Sequence, residues 1–200
     1  MEKYKNKYRI SSARAQWWDY RNAAAYFITI CTQHREHFFG KIINGQMELS
    51  EIGKIVESEW LKTFGLRTDM NLIMGAFVVM PNHFHAIVGI GDNEYNTPRR
   101  GRDAMHGVST TVPTVPTVPI VPTVPQNHFG PQSKNLASIV RGFKSSVTVA
   151  ARKINPAFAW QSRFHDHIIR NHESFQRITQ YILNNPTNWQ KDNFFNTKQF

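Results

Sequence analysis

The chain has 200 residues, with 24 Lys and Arg against 14 Asp and Glu for a formal net charge of +10, and hydrophobic residues make up 40%. That is enough chain for one buried core with an insertion, too apolar for general disorder, and basic enough to attract a polyanion. The lone cysteine, Cys31, excludes an intrachain disulfide and a Cys-based zinc cluster and fits the cytosol. The longest apolar stretch, Ala23 to Cys31, is far below the roughly 18–20 residues of a membrane span, so neither membrane insertion nor secretion is expected.

Residues 1–22 form a basic arm in which Lys3, Lys5, Lys7, Arg9, Arg14 and Arg21 stand against Glu2 and Asp19, with Tyr4, Tyr8, Trp17, Trp18 and Tyr20 interleaved. Two readings fit: a solvated tail whose tryptophans dock on the domain, or a nucleic-acid arm whose cations hold phosphates while its rings stack on bases. Tyr26 to Gln33 alternates β-branched and aromatic residues and predicts a strand. Lys41–Ile43 and Gln46–Leu49 flank Asn44-Gly45, the pair that favours a two-residue hairpin. Ser50 then caps a helix with Ile52, Ile55, Val56 and Trp60 on one side, ending near Gly65. Met70 to Met80 and His83 to Ile90 read as two strands, expected to pair antiparallel across the Pro81-Asn82 turn.

Beyond Gly91 the composition breaks, and Thr111 to Pro125 is a run of Thr-Val-Pro tripeptides with a single Ile-Val-Pro among them. Proline at every third position excludes helix and central strand and leaves polyproline II or disorder. A low-complexity insertion spanning about 92–133 is therefore expected, either a tolerated loop tip or a ligand for a proline-recognising groove, and dispensable for folding. Order resumes at Lys134, where Leu136, Ile139, Val140, Phe143, Val147 and Ala150 trace a helical stripe. Lys134, Arg141 and Arg152 gather opposite, with Lys144 nearby and no acid before His165, which suits either a solvated face or a phosphate-binding one. Arg163 to Arg170 suits a short strand, and His172 to Asn185 a helix with Phe175, Ile178 and Ile182 inward, closed by Pro186. This order predicts an α+β fold, a ferredoxin-like antiparallel sheet with helices gathered on one face.

His83 and His85, at i and i+2 in a strand, project from one face and can share a metal ion, although His-x-His also arises by chance as surface or core histidine. His165 and His167 repeat the spacing and compete for that role. A pair of histidines without cysteine suits zinc only if further His or carboxylate completes it, whereas a mixed set with an amide oxygen accepts Mg²⁺ or Mn²⁺. On the last helix Tyr181 and Asn185, at i and i+4, emerge on one flank; by themselves they also read as a core-edge tyrosine and a helix-ending asparagine.

Five stretches in register give these residues a common frame: Tyr26-Phe27-Ile28-Thr29-Ile30-Cys31-Thr32, Met80-Pro81-Asn82-His83-Phe84-His85, Arg141-Gly142-Phe143-Lys144-Ser145, Trp160-Gln161 through His167-Ile168-Ile169-Arg170, and Tyr181-Ile182-Leu183-Asn184-Asn185-Pro186. Together they resemble the REP-associated tyrosine transposases, a branch of the HUH single-strand transposases, over roughly Ala23 to Ile90 and Lys134 to Trp189. The resemblance implies a ferredoxin-like sheet with the metal on one face and the tyrosine helix crossing over it. It puts the metal ligands at His83, His85 and Asn185 and the nucleophile at Tyr181, with Mg²⁺ or Mn²⁺ as cofactor. Asp166-His167 matches a recurring pair to which no role is attached.

The implied activity is metal-dependent cleavage and rejoining of single-stranded DNA at hairpin-bearing repeats through a 5′-phosphotyrosine, in the cytoplasm and on the nucleoid. The alternatives are a DNA-hairpin-binding module without catalysis and a metal-dependent nuclease that uses water. The expected partner is single-stranded DNA with hairpin or inverted-repeat structure, held by Lys134, Arg141, Lys144, Arg152, Arg14 and Arg21; the sequence is compatible with a homodimer. The expected organisation is an arm at 1–22, one catalytic domain at 23–190 interrupted by the insertion, and a tail at 191–200.

Overall fold

The computed structural model describes residues 15, 17–96 and 133–195. The Thr-Val-Pro run, Arg14 and most of the basic arm lie outside the described residues. In chain order the elements are β1 (Ala24–Cys31), β2 (Gly40–Ile43), β3 (Gln46–Leu49), α1 (Glu51–Gly65), β4 (Leu72–Met80), β5 (His83–Ile90), α2 (Leu136–Ala151), β6 (His165–Ile169) and α3 (His172–Asn184). Local chemistry accounts for their ends. Asn44 and Gly45 both take positive φ, 51° and 74°, as a type I′ hairpin between β2 and β3 requires. The Ser50 side chain accepts from the Gly53 amide at 3.0 Å, and Asn135 and Asn171 cap α2 and α3 in the same manner. The strand expected from Met70 starts at Leu72, because 68–70 is a single 3-10 turn and Asn71 is left-handed at φ 47°.

Four strands form an antiparallel sheet in the order β4-β5-β1-β6, while β2 and β3 pair apart from it. Pairing of Ile30 with Phe84 and Ile28 with Ala86 puts these side chains on one face, with Tyr26 and Val88. There they bury against Ile52, Val56 and Trp60 of α1 and Ile139, Phe143 and Val147 of α2. The opposite face carries Phe27, Ile87 and Val78, and on it α3 packs through Ile182, Phe175 and Ile178. The α+β antiparallel fold is as expected, but helices on one face describes only α1 and α2. The third crosses the other side because β1 and β5 are apolar at both parities, so both surfaces of the sheet need cover.

Trp60 is fully buried, with ring centroids 5.1 Å from Phe84, 5.2 Å from Phe143 and 5.3 Å from Phe64. Trp60→Ala should cost about 3–5 kcal/mol in urea denaturation; a loss below about 1 kcal/mol would mean that α1 does not seat on the sheet through this ring.

Two of the motifs turn out to hold β6 in place. Lys144 Nζ donates to the carbonyls of Gln161 (2.8 Å) and Arg163 (3.1 Å), and Trp160 Nε1 donates to the Lys144 carbonyl at 3.2 Å. On the core-facing side of β6 the Tyr20 hydroxyl donates to Asp166 at 2.6 Å, and Trp18 Nε1 donates to the Tyr26 hydroxyl at 3.0 Å. Asp166 thus ties down the segment before β1. The docking reading of the tryptophans holds for Trp18, whereas Trp17 stays 62% exposed.

Candidate active site

His83 and His85 lie on the α3 side of β5, opposite Cys31 and Thr29 of β1. Both are buried, with ring centroids 4.5 Å apart. The proton positions on His83 follow from its neighbour. Asn82 Nδ2 donates to the carbonyls of Arg35 (3.2 Å) and Phe194 (2.9 Å), so its Oδ1 must face His83 Nδ1, 2.9 Å away. Nδ1 is then the donor and Nε2 keeps a lone pair, buried with no hydrogen-bond partner among the described residues. His85 is held from behind by Thr29 Oγ1, 2.8 Å from its Nδ1, and Phe27 stacks on it at 5.2 Å. Its Nε2 faces the Tyr181 hydroxyl at 3.2 Å.

α3 supplies the remaining groups. Tyr181 stands at the helix edge, 44% exposed, its ring edge-on to Phe27 at 6.1 Å. One turn on, Asn185 is buried, its Oδ1 has no hydrogen-bond partner among the described residues, and its Nδ2 donates to Asp192 at 3.1 Å. The Asp192 carboxylate joins the two histidines, with ligand atoms of the three within 4.8 Å of one another. Two imidazole nitrogens, an amide oxygen and a carboxylate are a donor set suited to a divalent ion, and the orphaned His83 Nε2 and Asn185 Oδ1 are groups that such an ion would satisfy. His165 and His167 are outside this group; both are exposed on β6, on the same sheet face.

Burial sets the electrostatics. It depresses His83 well below the usual histidine value, with the neighbouring His85 adding to the effect, and it lowers His85 to about 3, with His165 adding there. Both rings are therefore neutral at physiological pH. Burial raises the Tyr181 phenol and the Asp192 carboxylate raises it further, against a hydrogen bond from Asn185. For stability the sign is fixed. The unfolded chain takes up a proton on each histidine near pH 6.5 and the folded site resists, so stability is complete above that pH and falls as the pH drops towards about 3. His85 alone should contribute about 1.4 kcal/mol per pH unit, so urea denaturation at pH 5 should give roughly 2 kcal/mol less stability than at pH 7.5. A His85→Gln chain should lose that part of the slope; equal slopes would mean that His85 is not buried neutral.

Sequence reasoning missed Asp192, Asn82 and Thr29. The region reckoned as tail from 191 begins inside the site: the Phe194 ring lies tilted against His83 with centroids 4.5 Å apart, its amide donates to Asp192 at 2.7 Å, and Arg35 lies over its ring at 4.2 Å. Asn82 carried a readable signal, since it adjoins His83 directly.

Most of the predicted DNA-binding cations have protein partners. Lys134 pairs with Asp69, Arg21 pairs with Asp19 at 2.6 Å, Lys144 is committed as above, and Arg152 Nε donates to the Phe158 carbonyl at 3.0 Å. Arg141 is exposed on α2, which packs on the sheet face opposite the histidines.

No family model matches the chain. An uncharacterized protein of Haemophilus influenzae is 35% identical over 188 residues, covering 92% of each chain. Among solved structures, a REP-associated tyrosine transposase bound to a REP hairpin superposes with TM-score 0.54 at 18% identity, covering 90% of this chain and 74% of that one. That likeness is one of fold.

Proposed function

From a chain that belongs to one family with the Haemophilus influenzae protein and has the fold of a REP-associated tyrosine transposase, we propose a transposase-like enzyme that cleaves and rejoins single-stranded DNA through Tyr181. One observation carries the reading: the phenol oxygen lies 3.2 Å from His85 Nε2, beside the orphaned His83 Nε2 and the Asp192 carboxylate. His83, His85 and Asn185, with Asp192 added, would hold Mg²⁺ or Mn²⁺. A divalent ion bound there would draw charge from a nonbridging oxygen of the scissile phosphate and orient the phosphorus.

The chain's own groups do the rest. Asn82 and Thr29 fix the two imidazoles so that the lone pairs converge, and Phe27 holds the Tyr181 ring edge-on. The phenol oxygen attacks phosphorus in line, an oxygen–phosphorus bond forms to the 5′ side, and the bond to the 3′ oxygen breaks. The phenol proton passes to water and the departing 3′ oxygen takes one up. Return of a 3′ hydroxyl reverses the step and rejoins the strand without a nucleotide cofactor. The catalytic unit in this reading runs from 23 through Phe194 rather than ending at 190.

Incubating the protein with hairpin-bearing single-stranded DNA and Mn²⁺, followed by denaturing electrophoresis, tests the proposal. A protein–DNA adduct with a free 3′ end is the expected product. Retention without cutting would identify a binding module, and free product without adduct a nuclease that uses water.

A further inference from the structure

Three neutral atoms of the site offer lone pairs, and they are not equivalent. His83 Nε2 and Asn185 Oδ1 are buried with no hydrogen-bond partner among the described residues, whereas His85 Nε2 already meets the Tyr181 hydroxyl at 3.2 Å. The direction of that bond follows from the far side of the ring. A hydrogen bond with the Ile28 backbone favours the protonated ring, so the group there is an accepting carbonyl, and Thr29, the next residue of β1, lies 2.8 Å from Nδ1. Nδ1 therefore carries the ring proton, and Nε2 is an acceptor only. The phenol oxygen for its part takes a hydrogen bond from Asn185, whose Nδ2 end is identified by its bond to Asp192. The phenol proton thus points at His85, and the one lone pair of the site that is occupied is occupied by the proposed nucleophile.

We propose that Tyr181 has a second role, as a latch on the ion site: its hydroxyl and a divalent ion compete for the lone pair of His85 Nε2, so the ion can seat only as the phenol lets go. This rests on the proposed ion site and states how the nucleophile is held before it is used. Burial decides which partner yields. The His85 ring is enclosed, with Phe27 stacked on it at 5.2 Å and Thr29 behind it, whereas Tyr181 stands at the half-exposed edge of α3, where water can take over its hydrogen bond. The competition is reciprocal, so the phenol weakens ion binding by the same factor as the ion weakens the phenol's hold on His85. In the proposed phosphotyrosine the oxygen carries phosphorus in place of hydrogen and cannot close the latch again. The ion is then held more tightly in the covalent state than in the resting protein, until a returning 3′ hydroxyl restores the phenol.

Calorimetric titration of the full chain with Mn²⁺ tests the latch. Tyr181→Phe removes the competing hydroxyl and keeps the ring against Phe27 and His85, so it should bind Mn²⁺ at least about twofold more tightly than the wild type, the worth of one hydrogen bond. Equal affinity would mean that the phenol does not hold the lone pair, and weaker binding that it is itself a ligand; either result overturns the latch. In wild type labelled with ¹³Cζ-tyrosine, the resonance missing from Tyr181→Phe should shift when Mg²⁺ is added, and a resonance that stays in place would also overturn it. An ion that binds His83→Ala as well as the wild type lies elsewhere and removes the latch together with the ion site. Tighter binding by Tyr181→Phe, with no covalent DNA adduct from the wild type, would overturn the catalytic reading and leave the latch standing. A wild-type adduct with equal affinities would do the reverse.

Discussion

Tyr181→Phe should abolish covalent attachment to DNA while leaving the fold and DNA binding in place. Phenylalanine keeps the ring that meets Phe27 edge-on and His85 at 5.3 Å, so packing is conserved. The only group removed is the hydroxyl, which shares a hydrogen bond with His85 Nε2 and takes one from Asn185 at the half-exposed rim and is the attacking atom in the proposed step. Surface-edge changes of this kind usually shift stability by less than about 0.5 kcal/mol, so the melting curve should barely move. Adduct formation has no partial route without the oxygen. Cleavage that persisted at the wild-type rate would show that another nucleophile, water included, does the chemistry.

The second large effect concerns the ion. A ligand that binds the native state alone stabilises it by about 2.7 kcal/mol at a hundred times its dissociation constant, so Mn²⁺ should raise the melting temperature by several degrees. Asp192→Asn keeps the shape of the side chain and can still accept from Asn185, though then not from the Phe194 amide, and it removes the charge of a proposed ligand, so the shift should shrink. His83→Ala should eliminate it, judged against that variant's own ion-free baseline. An undiminished shift in both variants would place the ion elsewhere on the surface.

The sequence revealed different features to different degrees. The hairpin, the three helices and the strand pair around Pro81-Asn82 were legible because caps and turn residues act locally: Ser50, Asn44-Gly45 and Pro186 state their geometry within a few residues. Strand periodicity put His83 and His85 on one face and helical periodicity put Tyr181 and Asn185 on one flank, but only the resemblance to the transposase family joined the two pairs into one candidate site. That the two pairs meet follows from α3 crossing the face that carries Phe27 and Ile87, and alternation in β1 and β5 shows burial on both sides without saying which helix covers which. Asp192 has no periodic relation to His83, His85 or Asn185 and arrives through a 3-10 turn at Trp189–Lys191. The basic helix misled in the opposite sense. Spacing places Lys144 and Arg152 on the polar side of α2, but the carbonyls they meet belong to the 158–163 segment, which only the tertiary fold brings there.

The central position of β1 has a kinetic consequence. It pairs with β5 on one edge and β6 on the other, and the two partners are separated by the whole Thr-Val-Pro insertion. The first pairing closes a moderate loop and, with β4 and α1, can form early. The second must wait for a much longer closure, whose free-energy cost grows only by about 0.6 kcal/mol for each doubling of length but whose contacts are non-local and slow. β6 and α3 should therefore dock last on a preformed three-stranded half. The histidines belong to the early half, and the phenol, Asn185 and Asp192 to the late one. A half-folded chain would thus expose only part of the proposed ligand set and lack the proposed nucleophile, so the proposed cutting activity should appear only at the final docking step.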